Sequence, residues 1–415
     1  MPPVNQTTDP QLTTDHDGIR YGHLLAELSM SWQDRFASAL QQRKETHLLR
    51  QRQTLQSPQS THVTCGSSQL LNFCSNDYLG LANTGGEDLA RAAQEWQFGS
   101  GASHLVCGHT RAHHDLEDAL AEFSGYPRAL LFSTGYMANV GVISALAQRG
   151  DLILQDKLNH ASLLDGAQLS RAKMTRYRHC DYQQLNELLE DATGDCLVVS
   201  DSIFSMDGDL ADVARLAALS QQHNALLMID DAHGIGVLGQ HGQGVREHFN
   251  LSQDALPVYI GTLGKALGGY GAFVAGSEEL IEYLIQFSRS YIYTTAMPPA
   301  VAQAMLGNLE RAKDNKLRET LTNRIEQFRS GAKARGLPLM ASESPVQPLL
   351  TGASDRALRI SDRLKNQGIW ISAIRPPTVP QGEARLRVTL TAAHTTEDIE
   401  TLLTALESAF AGDES

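Results

Sequence analysis

Two side chains in this sequence combine into a setting for covalent chemistry. Lys265 stands in the Gly-rich run Gly261-Thr-Leu-Gly-Lys-Ala-Leu-Gly-Gly-Tyr270. Upstream, Ala225-Leu-Leu-Met-Ile-Asp-Asp-Ala-His-Gly234 reads as an apolar strand that delivers two carboxylates and an imidazole at its C-terminal end. A lysine amine beside an apolar pocket can form a Schiff base with an aldehyde. A carboxylate at the end of a neighbouring strand can keep a pyridinium nitrogen protonated, which turns the ring into an electron sink. A lone lysine among glycines is usually a solvated loop residue, so the neighbours must decide. A phosphate-binding loop of the nucleotide type needs glycine where Tyr259 stands and Ser or Thr where Ala266 stands, and that alternative fails. The pair Lys265 and Asp230 suggests pyridoxal 5'-phosphate.

Other residues fit the same chemistry. Ser133-Thr-Gly-Tyr-Met-Ala-Asn139 lies between a strand and a helix. Gly135 allows a tight turn there, and the free N–H groups of a helix start favour a phosphate dianion. Thr262 offers a hydroxyl from the loop before Lys265. His233 and Ser205 offer donors to a phenolic oxygen, and His160, in Asn159-His-Ala-Ser162, offers an imidazole face for stacking. Singly, each is an ordinary turn residue. Together they stand on separate strand ends, where open α/β sheets bind ligands, around one candidate lysine.

Those strands are legible as short apolar runs: Ala129–Ser133, Leu152–Leu154, Leu197–Ser200, Leu226–Ile229, Val258–Gly261 and Ala272–Ala275. Helical stretches such as His114–Phe123, Met137–Ala147 and Val213–His223 lie between them. The alternation predicts an α/β fold with a mostly parallel sheet flanked by helices, with its last strand antiparallel. A helical segment from Pro299 to about Arg335 leads to a smaller α+β domain. That domain reads strand Val346–Leu350, helix Asp355–Gln367 with Ser354 as N-cap and Gly368 as stop, strands Trp370–Ile374 and Arg385–Leu390, and helix Thr396–Phe410. The predicted organisation is an extension over 1–29, disordered or foreign to the rest, with Met30 as an alternative start. A segment over 30–70 follows, with a basic helical pattern over Ser31–Arg52. The large cofactor-binding domain spans 71–298, connecting helices 299–335 and the small domain 336–415.

Bulk properties exclude other classes. The chain has 415 residues, 42% hydrophobic and 20% charged, with a net charge of −13, which disfavours nucleic acid and anionic membranes as partners. No apolar run approaches the ~20 residues that cross a bilayer. No basic segment followed by an apolar stretch opens the sequence, so a cytoplasmic protein is expected. Cys65, Cys74, Cys107, Cys180 and Cys196 are scattered, and buried or partly buried reduced thiols are the default. The His-rich run Gly108-His-Thr-Arg-Ala-His-His-Asp115 lacks a recognised metal-ligand spacing, so no metal is expected.

Asn76-Asp-Tyr-Leu-Gly80, Gly99-Ser-Gly-Ala-Ser103, His160-Ala-Ser162, Phe204-Ser-Met-Asp-Gly-Asp209, Asp230-Asp-Ala-His-Gly234 and Thr262-Leu-Gly-Lys265 resemble the α-oxoamine synthases. These are fold-type-I pyridoxal-phosphate enzymes that join an amino acid to an acyl thioester with loss of carbon dioxide. The likeness runs from about Met30 to Phe410. Ala373-Ile-Arg-Pro-Pro-Thr-Val-Pro380 and Arg385-Leu-Arg-Val-Thr-Leu-Thr-Ala-Ala-His394 resemble the member that uses L-alanine and a pimeloyl thioester, on coenzyme A or acyl-carrier protein, in biotin synthesis. The resemblance implies that Lys265 carries the cofactor, Asp230 pairs with the ring nitrogen, Ser205 and His233 bind the phenolic oxygen, and His160 stacks on the ring. Gly135, Tyr136 and Thr262 would hold the phosphate, with Thr294 from the other subunit of a homodimer. Arg387 with Asn76 would take the amino-acid carboxylate, and Arg50, Arg375 and Thr378 would line the acyl side. The rival expectations are a sister enzyme pairing glycine with a shorter acyl-CoA, and a catalytically silent partner subunit, against which the retained Lys265 counts. Ala102, Ala296 and Asp201 depart from residues common in related sequences, without touching the Lys265, Asp230, His233 and His160 core.

Overall fold

The computed structural model describes residues 31–413, so the expected extension over 1–29 and Met30 lie outside the described residues. The described chain divides into two compact units, one ending at Arg52 and one beginning at Gln53. In the first, a helix spans Trp32–Glu45, and the Ser31 hydroxyl caps it by accepting the Asp34 N–H at 3.1 Å. This is shorter than the helical pattern over Ser31–Arg52, because His47 takes a left-handed φ of 57° just beyond Thr46 and turns the chain.

The second unit is built on a seven-stranded sheet. Its strands, numbered with the rest of the chain, are β3 (Arg128–Phe132), β4 (Leu152–Asp156), β5 (Lys173–Tyr177), β6 (Cys196–Asp201), β7 (Leu226–Asp230), β8 (Val258–Thr262) and β9 (Ala272–Gly276), in the order β3-β9-β8-β7-β6-β4-β5. β4 to β8 pair in parallel, and β9 is antiparallel to both β8 and β3, as expected from its short connection. Alternate residues of each central strand enter different clusters. Val198, Ile229, Tyr259 and Phe273 pack on one face, and Val199, Met228, Ile260 and Val274 on the other. With both faces covered, the strands read as continuous apolar runs. β5 escaped the sequence reading because Lys173-Met-Thr-Arg-Tyr177 is an edge strand with little apolar content.

Beyond the sheet, helices Pro299–Ala312 and Asn315–Ala334 lead to an antiparallel sheet of β10 (Val346–Gly352), β13 (Ala384–Thr389) and β12 (Ser372–Ile374), in the order β10-β13-β12. Helices Ser354–Asn366 and Thr396–Ala411 belong to the same region. Three expectations need correction. The strand read as Trp370–Ile374 is broken at buried Ile371: β11 (Ile369–Trp370) runs parallel to β2 (Ser68–Asn72), while β12 joins β13. β2 also forms a hairpin with β1 (His62–Cys65), and neither was legible as a strand because these short segments find their partners by tertiary pairing. Ser354 is the first helical residue, with Ala353 as N-cap. Among the cysteines, Cys107 is exposed, against the expected burial.

Candidate active site

The parallel strands deliver their C-terminal residues side by side. Asp201 at the end of β6 is in register with Asp230 at the end of β7, which is in register with Ile260 of β8, two residues before Thr262. A cavity of about 190 Å³ lies there, lined by Gly135, Tyr136, His160, Ser205, Asp230, His233, Thr262 and Lys265. All eight were read from the sequence. Asn139, Ser162, Asp201 and Ala232 complete the lining.

The Lys265 Nζ lies 2.8 Å from His233 Nε2. Burial is the main influence that lowers its pKa, to about 8, with Arg387 acting in the same direction and Asp230 and Asp201 opposing. Burial, then Lys265, hold His233 well below the usual histidine range, so this imidazole is neutral. With Nε2 accepting from Lys265, Nδ1–H donates to the Tyr78 hydroxyl at 2.5 Å, and Tyr78 donates to Asn76 Oδ1 at 3.3 Å. Burial pushes the Tyr78 phenol up to about 12. Asn76 Oδ1 also accepts from Arg387 Nη2 at 3.1 Å, and Arg387 Nε donates to the Ser205 carbonyl at 2.6 Å. One chain of hydrogen bonds thus runs from the lysine to the arginine expected to bind a carboxylate.

A second chain starts from Asp230. Asn139 Nδ2 donates to Asp230 Oδ2 at 2.6 Å and to Ser162 Oγ at 2.9 Å, and the Ser162 hydroxyl donates to His160 Nδ1 at 2.7 Å. The Ala232 N–H occupies the other oxygen of Asp230 at 2.9 Å. One amide therefore orients both the carboxylate and the imidazole. His160 is exposed at the cavity wall, and desolvation by the surrounding cleft is the main cause that lowers its pKa. Its backbone N–H donates to Asp201 at 2.7 Å, and burial, followed by the charge of Asp230, raises the Asp201 carboxyl well above the usual range. Asn139 and Tyr78 stood inside quoted motifs without a role. The signal for Asn139 was its place one helical turn after Gly135, on the face that reaches the site.

The helix Gly135–Leu146 supplies the anion end. Thr134 caps it, accepting the Met137 N–H at 3.2 Å, and the first-turn N–H groups of Gly135 and Tyr136 have no intrahelical acceptor. A Cβ on Gly135 would meet no heavy atom within 4 Å, so the backbone there faces open space. These residues fit pyridoxal phosphate: free N–H groups for a phosphate, a carboxylate for a ring N–H, an open imidazole face, and a lysine with a lowered pKa. Asn139 Oδ1 is buried without a partner, an acceptor still unused at this site.

The remaining expected residues fall elsewhere. Thr378 lines a second cavity of about 530 Å³, which shares His160 and Ser205 with the first and is walled by Leu158, Phe204, Met206 and Val379. Arg375 precedes that wall in the loop Arg375–Pro380 and lines neither cavity. Thr294 also lines neither. Arg50 belongs to the first unit. Among the described residues three groups could hold a metal, including His104 with His109 and His113. His113, however, already accepts the Thr110 N–H at Nδ1 and donates from Nε2 to the Met297 carbonyl.

Residues 68–406 match the profile of the aminotransferase class I and II family. The chain is 57% identical over 378 residues to 8-amino-7-oxononanoate synthase of Stutzerimonas stutzeri, covering 90% of this chain and 96% of that protein. A solved 8-amino-7-oxononanoate synthase from Francisella tularensis is 32% identical, with a TM-score of 0.73 over 83% of this chain and 99% of that one. A lysine-to-alanine variant of serine palmitoyltransferase from S. paucimobilis, solved with a bound pyridoxal-phosphate–myriocin aldimine, is 26% identical, with a TM-score of 0.87 over 92% and 99% of the two chains.

Proposed function

We propose a specific reaction for this chain, which belongs to the class I and II aminotransferase family and within it to the α-oxoamine synthases: condensation of L-alanine with a pimeloyl thioester, releasing carbon dioxide and the carrier thiol and forming 8-amino-7-oxononanoate. The observation that carries it is the convergence of Lys265, Asp230 and His160 on one cavity that adjoins a larger, mainly apolar one. Near-complete alignment with 8-amino-7-oxononanoate synthases supports the choice of substrates.

Bound pyridoxal phosphate supplies an aldehyde that captures amines and a cationic ring that accepts an electron pair. Lys265 would be the attachment point and then the general base that takes the Cα proton of alanine, a task suited to an amine whose pKa burial lowers to about 8. Asp230, held by Asn139 and the Ala232 N–H, keeps a proton on the ring nitrogen. His160 would cover one ring face, Ser205 and His233, the latter as its Nε2–H tautomer with the Tyr78 hydroxyl donating to Nδ1, would serve the phenolic oxygen, and Gly135, Tyr136 and Thr262 would hold the phosphate. Arg387, fixed by Ser205 and Asn76, takes the alanine carboxylate and so sets which Cα bond is broken. The acyl chain lies against Thr378 and its neighbours in the larger cavity. In this reading the enzyme is a cytoplasmic homodimer in which Thr294 of one subunit completes the phosphate site of the other. Among the described residues no helix is long and apolar enough to cross a membrane.

Product identification is the test. The purified protein should convert alanine and a pimeloyl thioester into 8-amino-7-oxononanoate, with either coenzyme A or acyl-carrier protein as carrier. Faster turnover of glycine with acetyl-CoA or succinyl-CoA would reject the assignment in favour of a sister enzyme.

A further inference from the structure

The larger cavity carries two cations without a counter-charge. Lys157, just past the end of β4, and Arg176, in β5, line it together, and neither forms an ion pair among the described residues. The Arg176 guanidinium donates to the Lys157 carbonyl, which ties the two positions together. The remaining ionised side chain of that wall, Asp207, is already paired with fully buried Arg385. The chain as a whole is acidic, with a net charge of −13, so carboxylates were available to neutralise these cations. Both side chains are exposed, and singly they would be ordinary solvated residues. Here they share a wall with Leu158, Phe204 and Met206, in a cavity that reaches His160 and Ser205 of the reacting site.

We infer that Lys157 and Arg176 form an anion-binding subsite for the acyl donor. The anion is a carboxylate or phosphate of that substrate: the terminal carboxylate of a dicarboxylic acyl chain, or the phosphate of the carrier arm. The subsite rests on the assignment of a pimeloyl thioester as substrate; with the terminal carboxylate as its anion it tells that substrate from a plain fatty acyl thioester, and with the carrier phosphate as its anion it serves carrier binding. A charge-assisted hydrogen bond is worth about 1.5–3 kcal/mol, which corresponds to roughly 10- to 100-fold in affinity.

The holoenzyme and its Lys157→Ala and Arg176→Gln variants are compared on pimeloyl-CoA, heptanoyl-CoA, and the pimeloyl thioester of N-acetylcysteamine, which has no phosphate. Exchange of the alanine α-proton with solvent, which needs no acyl donor, monitors the reacting site. Each variant is expected to lose roughly 10- to 100-fold in kcat/KM for pimeloyl-CoA, mainly through KM, while α-proton exchange persists. If the terminal carboxylate is the anion, the substitutions leave heptanoyl-CoA turnover unaffected. If the carrier phosphate is the anion, they leave the N-acetylcysteamine thioester unaffected. Variants that handle pimeloyl-CoA as the wild type does, or that lose α-proton exchange in parallel, would overturn the subsite. A wild-type protein inactive on every pimeloyl thioester would instead overturn the reaction assignment.

Discussion

Asn139 is the residue on which the electrostatics of the site turn. Its amide nitrogen reaches Asp230 at 2.6 Å and Ser162 at 2.9 Å, so the carboxylate and the His160 ring are oriented by one group. A hydrogen bond to a charged acceptor contributes about 1.5–3 kcal/mol, and its loss leaves Asp230 free to rotate away from a ring nitrogen. Asn139→Ala is therefore expected to lower kcat roughly 10- to 100-fold while bound cofactor stays near one per chain, as steady-state kinetics and cofactor absorbance will report. Loss of cofactor and activity in equal proportion would show that Asn139 serves binding alone. Lys265, Asp230, His160 and His233 could be read from the sequence because each follows an apolar run and has a chemistry of its own. Asn139 and Tyr78 could not, since their roles depend on partners that only the fold brings near: Asp230 for the first, His233 for the second.

At the scale of elements, His179 joins two pieces of the cavity wall. Its Nδ1 donates to Asp156, the last residue of β4, at 3.0 Å, and its Nε2 donates to Asp209 at 2.7 Å. With both nitrogens donating to carboxylates the ring is a cation. Burial pulls its pKa down, but the bonds to Asp156 and Asp209 outweigh that and raise it to about 12. Asp209 closes the turn that begins at Phe204, where Gly208 is required: its φ is +73°, and a Cβ would collide with the Val346 carbonyl. That turn carries Ser205, whose carbonyl fixes Arg387. The unfolded histidine titrates near about 6.5. The contribution of His179 to stability is therefore complete below that pH and is lost progressively as pH rises toward about 12. His179→Gln should cost on the order of 2 kcal/mol near pH 6, a discount on the cost of breaking a fully buried pair because the ring is 28% exposed. The deficit should shrink by pH 9, and the KM for alanine should rise as the hold on Arg387 loosens. Denaturation curves whose separation is independent of pH would contradict this role.

For the whole molecule, the sheet order explains why residues far apart in sequence meet. The parallel strands β4, β6, β7 and β8 line up their C-terminal ends, and β13 brings Arg387 to the Ser205 turn. The α/β alternation was legible because β6, β7 and β8 are buried on both faces and read as apolar runs. The edge strand β5 and the β1–β2 hairpin were not, being exposed or held by distant pairing. β5 carries Arg176, so one of the two cations facing the larger cavity lay on an element that composition conceals. The central claim concerns one amine, and it can be tested by reducing the purified protein with borohydride, digesting it and mapping the pyridoxyl label. The expected result is a single labelled peptide containing Lys265, absent from Lys265→Ala; a label on another lysine, or none on the wild-type protein, would contradict the claim.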